Sequence, residues 1–253
     1  MALEPTWVSD LEATSLTIEG AVATVTLQRP DAANARNQTM RTELVQIWDH
    51  VGSRADVSAV ILTAAGDRFF CAGMDLKEAG APESPAERRD RLKSSRDIEL
   101  LASLPQPTVA AINGYALGGG FEMALACDIR LIAQNAQVGL TELTHGLVPG
   151  GGGTQRLPRL IGIARAAEML YLGLRLSGPE ALAWGVVNRC VAPEELQSAA
   201  AELASAIAAQ PHRALIYAKE LLRMSAEVAQ APGIERELDV LLTLLADRQS
   251  PND

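Results

Sequence analysis

The sequence predicts an α/β fold, a core built on a parallel sheet and followed by helices. Short β-branched runs alternate with segments of helical spacing as far as about residue 175, and beyond that the chain reads as helices only. The composition agrees: of 253 residues 48% are apolar but only 4% aromatic, so the core must be built from Ala, Val, Ile and Leu.

In chain order, "SLTIE" and "VATVTLQR" flank Gly20 and predict a hairpin. "TMRTELVQIWDHVGS" has helical spacing, with Leu44, Ile47, Trp48 and Val51 on one face. "SAVILTAAG" predicts a buried strand. "FFCAGMDLKEAG" predicts a loop entering a short helix, where Asp75 and Glu78 have the spacing of a capping box. "APESPAE" reads as an exposed loop. "ERRDRLKSSRDIELLASLP" reads as a charged helix stopped by Pro105, its Arg88, Arg89, Arg91, Lys93 and Arg96 interleaved with Asp90 and Asp97 on a solvated face. "TVAAING" and "IRLIA" predict buried strands around the helix "EMALACD", and "AQVGLTEL" a further strand. "IARAAEMLYLG" opens a helix. "GPEALAWG", "PEELQSAAAELASAIAAQ", "HRALIYAKELLRMSAEVA" and "IERELDVLLTLLAD" continue the helical pattern, and no repeat of fixed short period is visible. The shift in composition near Leu176 marks the best boundary.

Several classes are disfavoured. A net charge of −9 opposes a nucleic-acid surface. Cys71, Cys127 and Cys190 have neither disulfide nor metal-ligand spacing, which suits a reducing compartment, and Cys71 and Cys127 read as small core residues. "MALEPTWVSDLEATS" is too acidic and polar for a signal peptide. The window Val109–Cys127 holds Asn113, Glu122 and four glycines, so it is not a membrane span. No metal site is expected.

The chemistry concentrates in "GYALGGGFEMALACD". Glycines before a helix leave its first N–H groups bare, and the helix dipole adds partial positive charge there. Such a place binds an anion or a developing oxyanion. "GGGFEM" lacks the Gly-Lys-Ser/Thr of a phosphate loop, and Met123 occupies the third-glycine slot of the dinucleotide fingerprint. A second donor is expected from the loop "FCAGMD", where Gly73 allows close approach to the backbone. Glu122 lies three residues after Gly119, on the same face of the predicted helix. Glu142, in "GLTELTHGLVPGGGG", is set among uncharged residues at a strand end. Two carboxyls near one oxyanion site permit acid and base work together, because burial and mutual repulsion raise the pKa of one of them. Gly150–Gly153 is expected to shape a turn beneath the pocket rather than bind anything. Asp128 and Arg130 are expected to be structural partners, and His145 a pocket-wall or surface residue.

"FCAGMDLKE", "INGYALGGGFEMALACDIRLIA" and "GLTELTHGLVPGGGGTQRLPRLIG", continued by "GPEALAWGVVN" and "AKELL", resemble the crotonase superfamily, the enoyl-CoA hydratase/isomerase family, over roughly residues 15–225. The resemblance implies a spiral of ββα units over residues 1–175 that carries an acyl-CoA site. It also implies a helical region over 176–253 involved in oligomerisation, with assembly as homotrimers or hexamers. It implies backbone N–H donors at Met74 and Gly119 and catalytic acids at Glu122 and Glu142. Ala35, Arg36, Ala72, Gly73, Asp75, Lys77 and Gly118 are implied as substrate-binding. CoA belongs to the substrate, and no separate cofactor, nucleic acid or membrane is involved. A cytoplasmic enoyl-CoA hydratase is the leading expectation. The alternatives are an isomerase or thioester hydrolase of the same family, or a non-catalytic acyl-CoA- or RNA-binding member.

The sequence departs from the family pattern in three places. Arg36 replaces an apolar residue in "NARNQTM", and Thr144 and His145 add polarity near the acyl pocket. The ending "LLADRQSPND" lacks the family's usual Phe and basic residues, which implies looser closure of the site or closure by another subunit.

Overall fold

The computed structural model describes residues 5–79, 84, 86–87, 89–90 and 96–249. Two sheets share one spiral. Among the described residues the larger has six strands and the smaller four. The predicted hairpin is present: β1 (Thr14–Glu19) pairs antiparallel with β2 (Val22–Leu27). From there the large sheet is parallel, through β3 (Ala59–Ala64), β5 (Thr108–Ile112), β7 (Ile129–Ala133) and β10 (Arg189–Val191). Every residue of β3 and β5 is buried, as expected of a parallel sheet covered on both faces.

Between visits to the large sheet the chain adds a strand to the small one: β4 (Phe69–Cys71) after β3, β6 (Tyr115–Leu117) after β5, and β8 (Gln137–Gly139) after β7. Helices Asp97–Ser103, Gly119–Ala126 and Gly153–Ile161 then return the chain, giving three ββα turns. Their first strands begin at Ala59, Thr108 and Ile129, so the turns differ in length and leave no fixed period in the sequence. Helix Gln38–Gly52 buries Met40, Leu44, Ile47, Trp48 and Val51, the stripe predicted from its spacing plus Met40. Helix Leu196–Ala208 buries Leu196, Ala200 and Ala204 against β3 and β5. Small residues at those positions let helix and sheet approach closely, and the core needs few rings: Trp48, Phe70 and Phe121 are the aromatic side chains most deeply enclosed.

Several expectations are corrected. The region after residue 175 is not purely helical: β9 (Leu176–Ser177) pairs with β8, and β10 with β7. Strands of two or three residues are too short to show periodicity. Helix Gly153–Ile161 was not expected, because it opens on glycine and contains Pro158. The strand expected through Glu142 ends at Gly139, and Glu142 instead begins a 3₁₀ turn, Glu142–His145. The charged helix is described at residues 86–87 and 89–90, so that Ala86 and Glu87 of the expected loop are helical, and again over Asp97–Ser103. Arg88, Arg91 and Lys93 lie outside the described residues, while Arg89 and Arg96 are exposed. The Asp75–Glu78 capping box does not form. Asp75 Oδ1 does accept from the Lys77 N–H (3.1 Å), but the Glu78 carboxylate accepts from the Gln38 N–H (2.9 and 3.0 Å) and so serves the start of a different helix.

Asp128 and Arg130 are structural, as expected. Asp128 accepts from Thr108 and pairs with Lys219 at 2.7 Å, tying helix His212–Met224 to the core. Arg130 donates to the carbonyls of Val186 and Cys127. Cys71 and Cys127 are buried free thiols, and burial pushes them up to about 11 and about 12. Among the described residues no helix is long and apolar enough to cross a membrane.

Candidate active site

In the small sheet β4, β6 and β8 run parallel side by side, with Cys71 opposite Ala116 and Leu117 opposite Gly139. Their carboxyl ends therefore open at one edge, the usual crevice for a ligand in a parallel sheet. The chain leaves that edge through three turns: Ala72–Asp75 after β4, Gly118–Gly119 after β6 and Leu140–Glu142 after β8.

Arg36 forms an isolated parallel bridge with Met74: the Arg36 N–H donates to the Gly73 carbonyl (2.8 Å) and the Asp75 N–H to the Arg36 carbonyl (3.2 Å). In a parallel ladder this uses the amides flanking Met74 and turns the Met74 N–H to the opposite side, toward β6. Gly119 is the first residue of its helix, so its N–H has no intrahelical partner. Neither amide donates to an acceptor among the described residues. The two turns touch: a side chain begun at Gly73 would stand 3.3 Å from the Gly119 nitrogen.

Gly118, Gly119 and Gly120 have separate reasons. Gly118 adopts φ +52°, and a β-carbon there would crowd Glu142 Oε1 at 3.1 Å. A β-carbon on Gly119 would meet Arg36 Nη1 at 2.8 Å. One on Gly120 would collide with the Cys71 carbonyl at 2.1 Å, so Gly120 is the residue that lets helix and strand pack tightly.

Glu122 sits on the first turn of helix Gly119–Ala126 and is only 3% exposed. Its Oε1 accepts the N–H groups of Gly151 (2.7 Å) and Gly153 (2.8 Å). The glycine turn thus does more than shape the pocket floor: its amides, at the start of helix Gly153–Ile161, fix the carboxylate. Glu122 Oε2 accepts nothing from the described residues and lies 3.9 Å from the β-position of Gly119. Glu142 approaches from the other side. Its Oε2 is buried without a hydrogen-bond partner among the described residues. Burial pushes its carboxyl up to about 7, and the charge of Glu122 adds to that rise.

The other expected ligand residues diverge. Ala35, Ala72 and Gly73 line the turn that carries Met74, and Lys77 is exposed at its rim. Asp75 is mostly buried: it pairs with Arg29 at 3.0 Å and caps the Lys77 N–H. Arg36, another expected ligand residue, is anchored along one edge of its guanidinium. Its Nε and Nη2 grip both oxygens of Asp97 at 2.6 to 3.1 Å, and the Asp97 side chain is 0% exposed. Burial works against the guanidinium charge, but the Asp97 charge and hydrogen bonds outweigh it and hold Arg36 above its ordinary value. Asp97, read as part of a solvated face, is therefore a buried counter-ion. The signal for it was available: an arginine in an apolar slot needs an acid, and Asp97 opens an apolar helix where the dipole favours a carboxylate. His145 is exposed, its Nδ1 within hydrogen-bond distance of Thr144 Oγ1 (3.1 Å) and the Thr141 carbonyl (3.2 Å).

The model of the Enoyl-CoA hydratase/isomerase family matches residues 17–250. The short-chain-enoyl-CoA hydratase of Clostridium acetobutylicum is 37% identical over 221 residues, covering 87% of this chain and 85% of that protein. A crystal structure of enoyl-CoA hydratase from Bacillus anthracis superposes with TM-score 0.89 at 39% identity, covering 93% of this chain and 92% of that one. A Thermobifida fusca protein solved in complex with CoA gives TM-score 0.89 at 32% identity, covering 97% and 98%. With the spiral, the strand-edge crevice and these matches together, the chain belongs to the crotonase superfamily, in its enoyl-CoA hydratase/isomerase family.

Proposed function

We propose that the protein is an enoyl-CoA hydratase that adds water across the 2,3 double bond of a 2-enoyl-CoA thioester. The observation that carries this reading is the pair of unlike carboxyls beside two unused amides: Glu122 anchored by Gly151 and Gly153, Glu142 half-buried with its carboxyl pushed up to about 7. The Met74 and Gly119 N–H groups receive the thioester oxygen and polarise the conjugated double bond, making C3 electrophilic. One such donor lowers a barrier by about 3 kcal/mol. Glu122 takes a proton from water as its oxygen adds to C3. Glu142, the carboxyl able to keep its proton near neutral pH, delivers one to C2. Each placed carboxyl adds roughly 10²–10⁴-fold. CoA enters as part of the substrate, and the chemistry calls for no further cofactor.

The assembly reading is a homotrimer or a pair of trimers. Helix Gln230–Gln249 leaves Ile234, Leu238, Leu241, Leu242 and Leu245 exposed, a larger apolar face than a solitary chain normally shows to water. Light scattering of the purified protein tests it, and a monomer at micromolar concentration would end it. A cytoplasmic location and the absence of nucleic-acid partners follow from the sequence expectations alone.

The experiment on function is a panel of 2-enoyl-CoA thioesters followed by loss of conjugated absorbance, with Glu122→Gln and Glu142→Gln tested separately. Hydration needs both acids. If one variant retains full activity, or if the double bond migrates without uptake of water, the isomerase alternative replaces this reading.

A further inference from the structure

We infer that Arg36 is a third oxyanion-stabilising group, a fixed cation that opposes the negative charge developing on the thioester oxygen between the Met74 and Gly119 amides. This inference rests on the acyl-CoA reading of the site but not on hydration as the reaction.

Asp97 occupies only two of the three guanidinium nitrogens, through Nε and Nη2. Nη1 has no acceptor among the described residues and stands 2.8 Å from the β-position of Gly119, the residue whose amide is bare. The Arg36 main chain brackets the other bare amide by bonding on both sides of Met74. One residue thus fixes one donor through its backbone and places its guanidinium beside the β-position of the residue that carries the other. Bidentate pairing to a fully enclosed carboxylate prevents the guanidinium from swinging out, so its dipoles and charge are preorganised. The pair is neutral overall, yet its positive end is the one nearer Gly119, while Asp97 lies on the far side of the guanidinium fork. In a crevice of low dielectric that orientation favours an enolate over the neutral thioester.

Removing Arg36 alone orphans a buried carboxylate and endangers the fold. The test therefore uses Arg36→Met combined with Asp97→Leu, with Arg36→Lys as a conservative control. The first readout is bound acetoacetyl-CoA, which loses its C2 proton to buffer and spreads the resulting charge over its carbonyl oxygens. Its enolate absorbance at fixed pH reports oxyanion stabilisation whatever reaction the enzyme performs. The expected result is a folded double variant whose bound enolate-to-keto ratio falls about tenfold, a smaller loss than the ~10²–10³ of a direct donor. A matching fall in kcat with KM little changed is expected on the enoyl-CoA that the wild type hydrates, and Arg36→Lys should recover part of both.

An unchanged enolate ratio in the folded double variant overturns the inference and leaves the hydratase reading intact. An Arg36-dependent ratio in a protein that hydrates no enoyl-CoA does the reverse. If the wild type binds no acetoacetyl-CoA, the shared acyl-CoA site is refuted and this inference with it. If the double variant does not fold, the ratio is read on Arg36→Lys, where a value equal to wild type counts against a directed guanidinium and a lowered one supports it.

Discussion

The two walls of the crevice carry the same side chain in opposite settings. On the Glu122 wall a regular helix, a strand end and a glycine turn converge, and the carboxylate is fixed by two amides. On the Glu142 wall the carboxyl sits in a 3₁₀ turn, with one oxygen unpartnered, and runs into an exposed segment where Leu147 and Val148 are 51% and 73% exposed. The first environment positions an acceptor. The second makes a charge costly and so keeps a proton available near neutral pH. In the proposed mechanism these identical residues take different chemical roles because different elements deliver them.

The largest effect that tests this difference is the loss of either carboxyl. Glu122→Gln and Glu142→Gln are each expected to lower kcat by about 10²–10⁴-fold, measured by steady-state hydration. Glu122→Gln also presents an amide to the Gly151 and Gly153 donors. If the glutamine turns its NH₂ toward them, that variant is further expected to lose stability, visible as a lower melting temperature. Should Glu142→Gln hydrate at the wild-type rate, the comparison between the walls fails.

Next in size are glycine substitutions that disturb one wall at a time. Gly118→Ala introduces a β-carbon 3.1 Å from Glu142 Oε1 at φ +52°, so it displaces the acid wall. Gly151→Ala introduces one 2.8 Å from Glu122 Oε2 and 2.7 Å from Ile98, so it displaces the base wall. Misplacing a reacting group by about 1 Å costs on the order of 10²-fold, and each variant is expected to lose up to that much in kcat while remaining folded. The pH profiles should separate them. Gly118→Ala should move the limb that belongs to Glu142, and Gly151→Ala should leave it in place.

That limb is itself a prediction. With the Glu142 carboxyl at about 7, the protonated acid needed for delivery to C2 is lost as pH rises through that value. In the hydration direction kcat should fall on the alkaline side of about 7. A rate that stays flat well into the alkaline range would assign the proton donor to another group.

How much of this was legible in the sequence depended on how local the determinant was. The stripe Leu44, Ile47, Trp48 and Val51, the apolar run of β3 and the spacing of Glu122 from Gly119 are written within a few residues, and the structure places them as read. Met74 and Glu142 entered as proposed site residues through family resemblance alone, since no local pattern joins them. What stayed hidden was contact between distant segments. The Arg36–Asp97 pair spans 61 residues, and the Gly151 and Gly153 amides reach Glu122 across 29 and 31. Asp97 looked solvated because the sequence before it is charged and only the residues after it are apolar. β6, β9 and β10 exist because neighbouring strands offer unpaired backbone groups, a tertiary cause that three residues cannot encode.

The smallest expected effect bears on stability and has a definite sign. Glu142 titrates near 4.5 when unperturbed and near 7 in the folded protein, so folding favours its protonated form. A carboxyl raised in this way contributes stability that is fully present below about 4.5 and lost as pH rises through about 7. Above that window the wild type carries an ionised carboxylate with a buried, unpartnered oxygen, whereas Glu142→Gln carries a neutral amide of the same shape. The variant should therefore melt with the wild type near pH 5 and above it near pH 8. Solvent screens a group that is only half-buried, so the gain is about 1 kcal/mol, or roughly 2–4 °C in a domain of this size. The Glu122 wall should show no such gain on Glu122→Gln, because there the substitution sacrifices amide contacts instead of relieving an unpartnered charge. Equal melting of wild type and Glu142→Gln at both pH values would mean that Glu142 is solvated, and the contrast between the two walls would disappear.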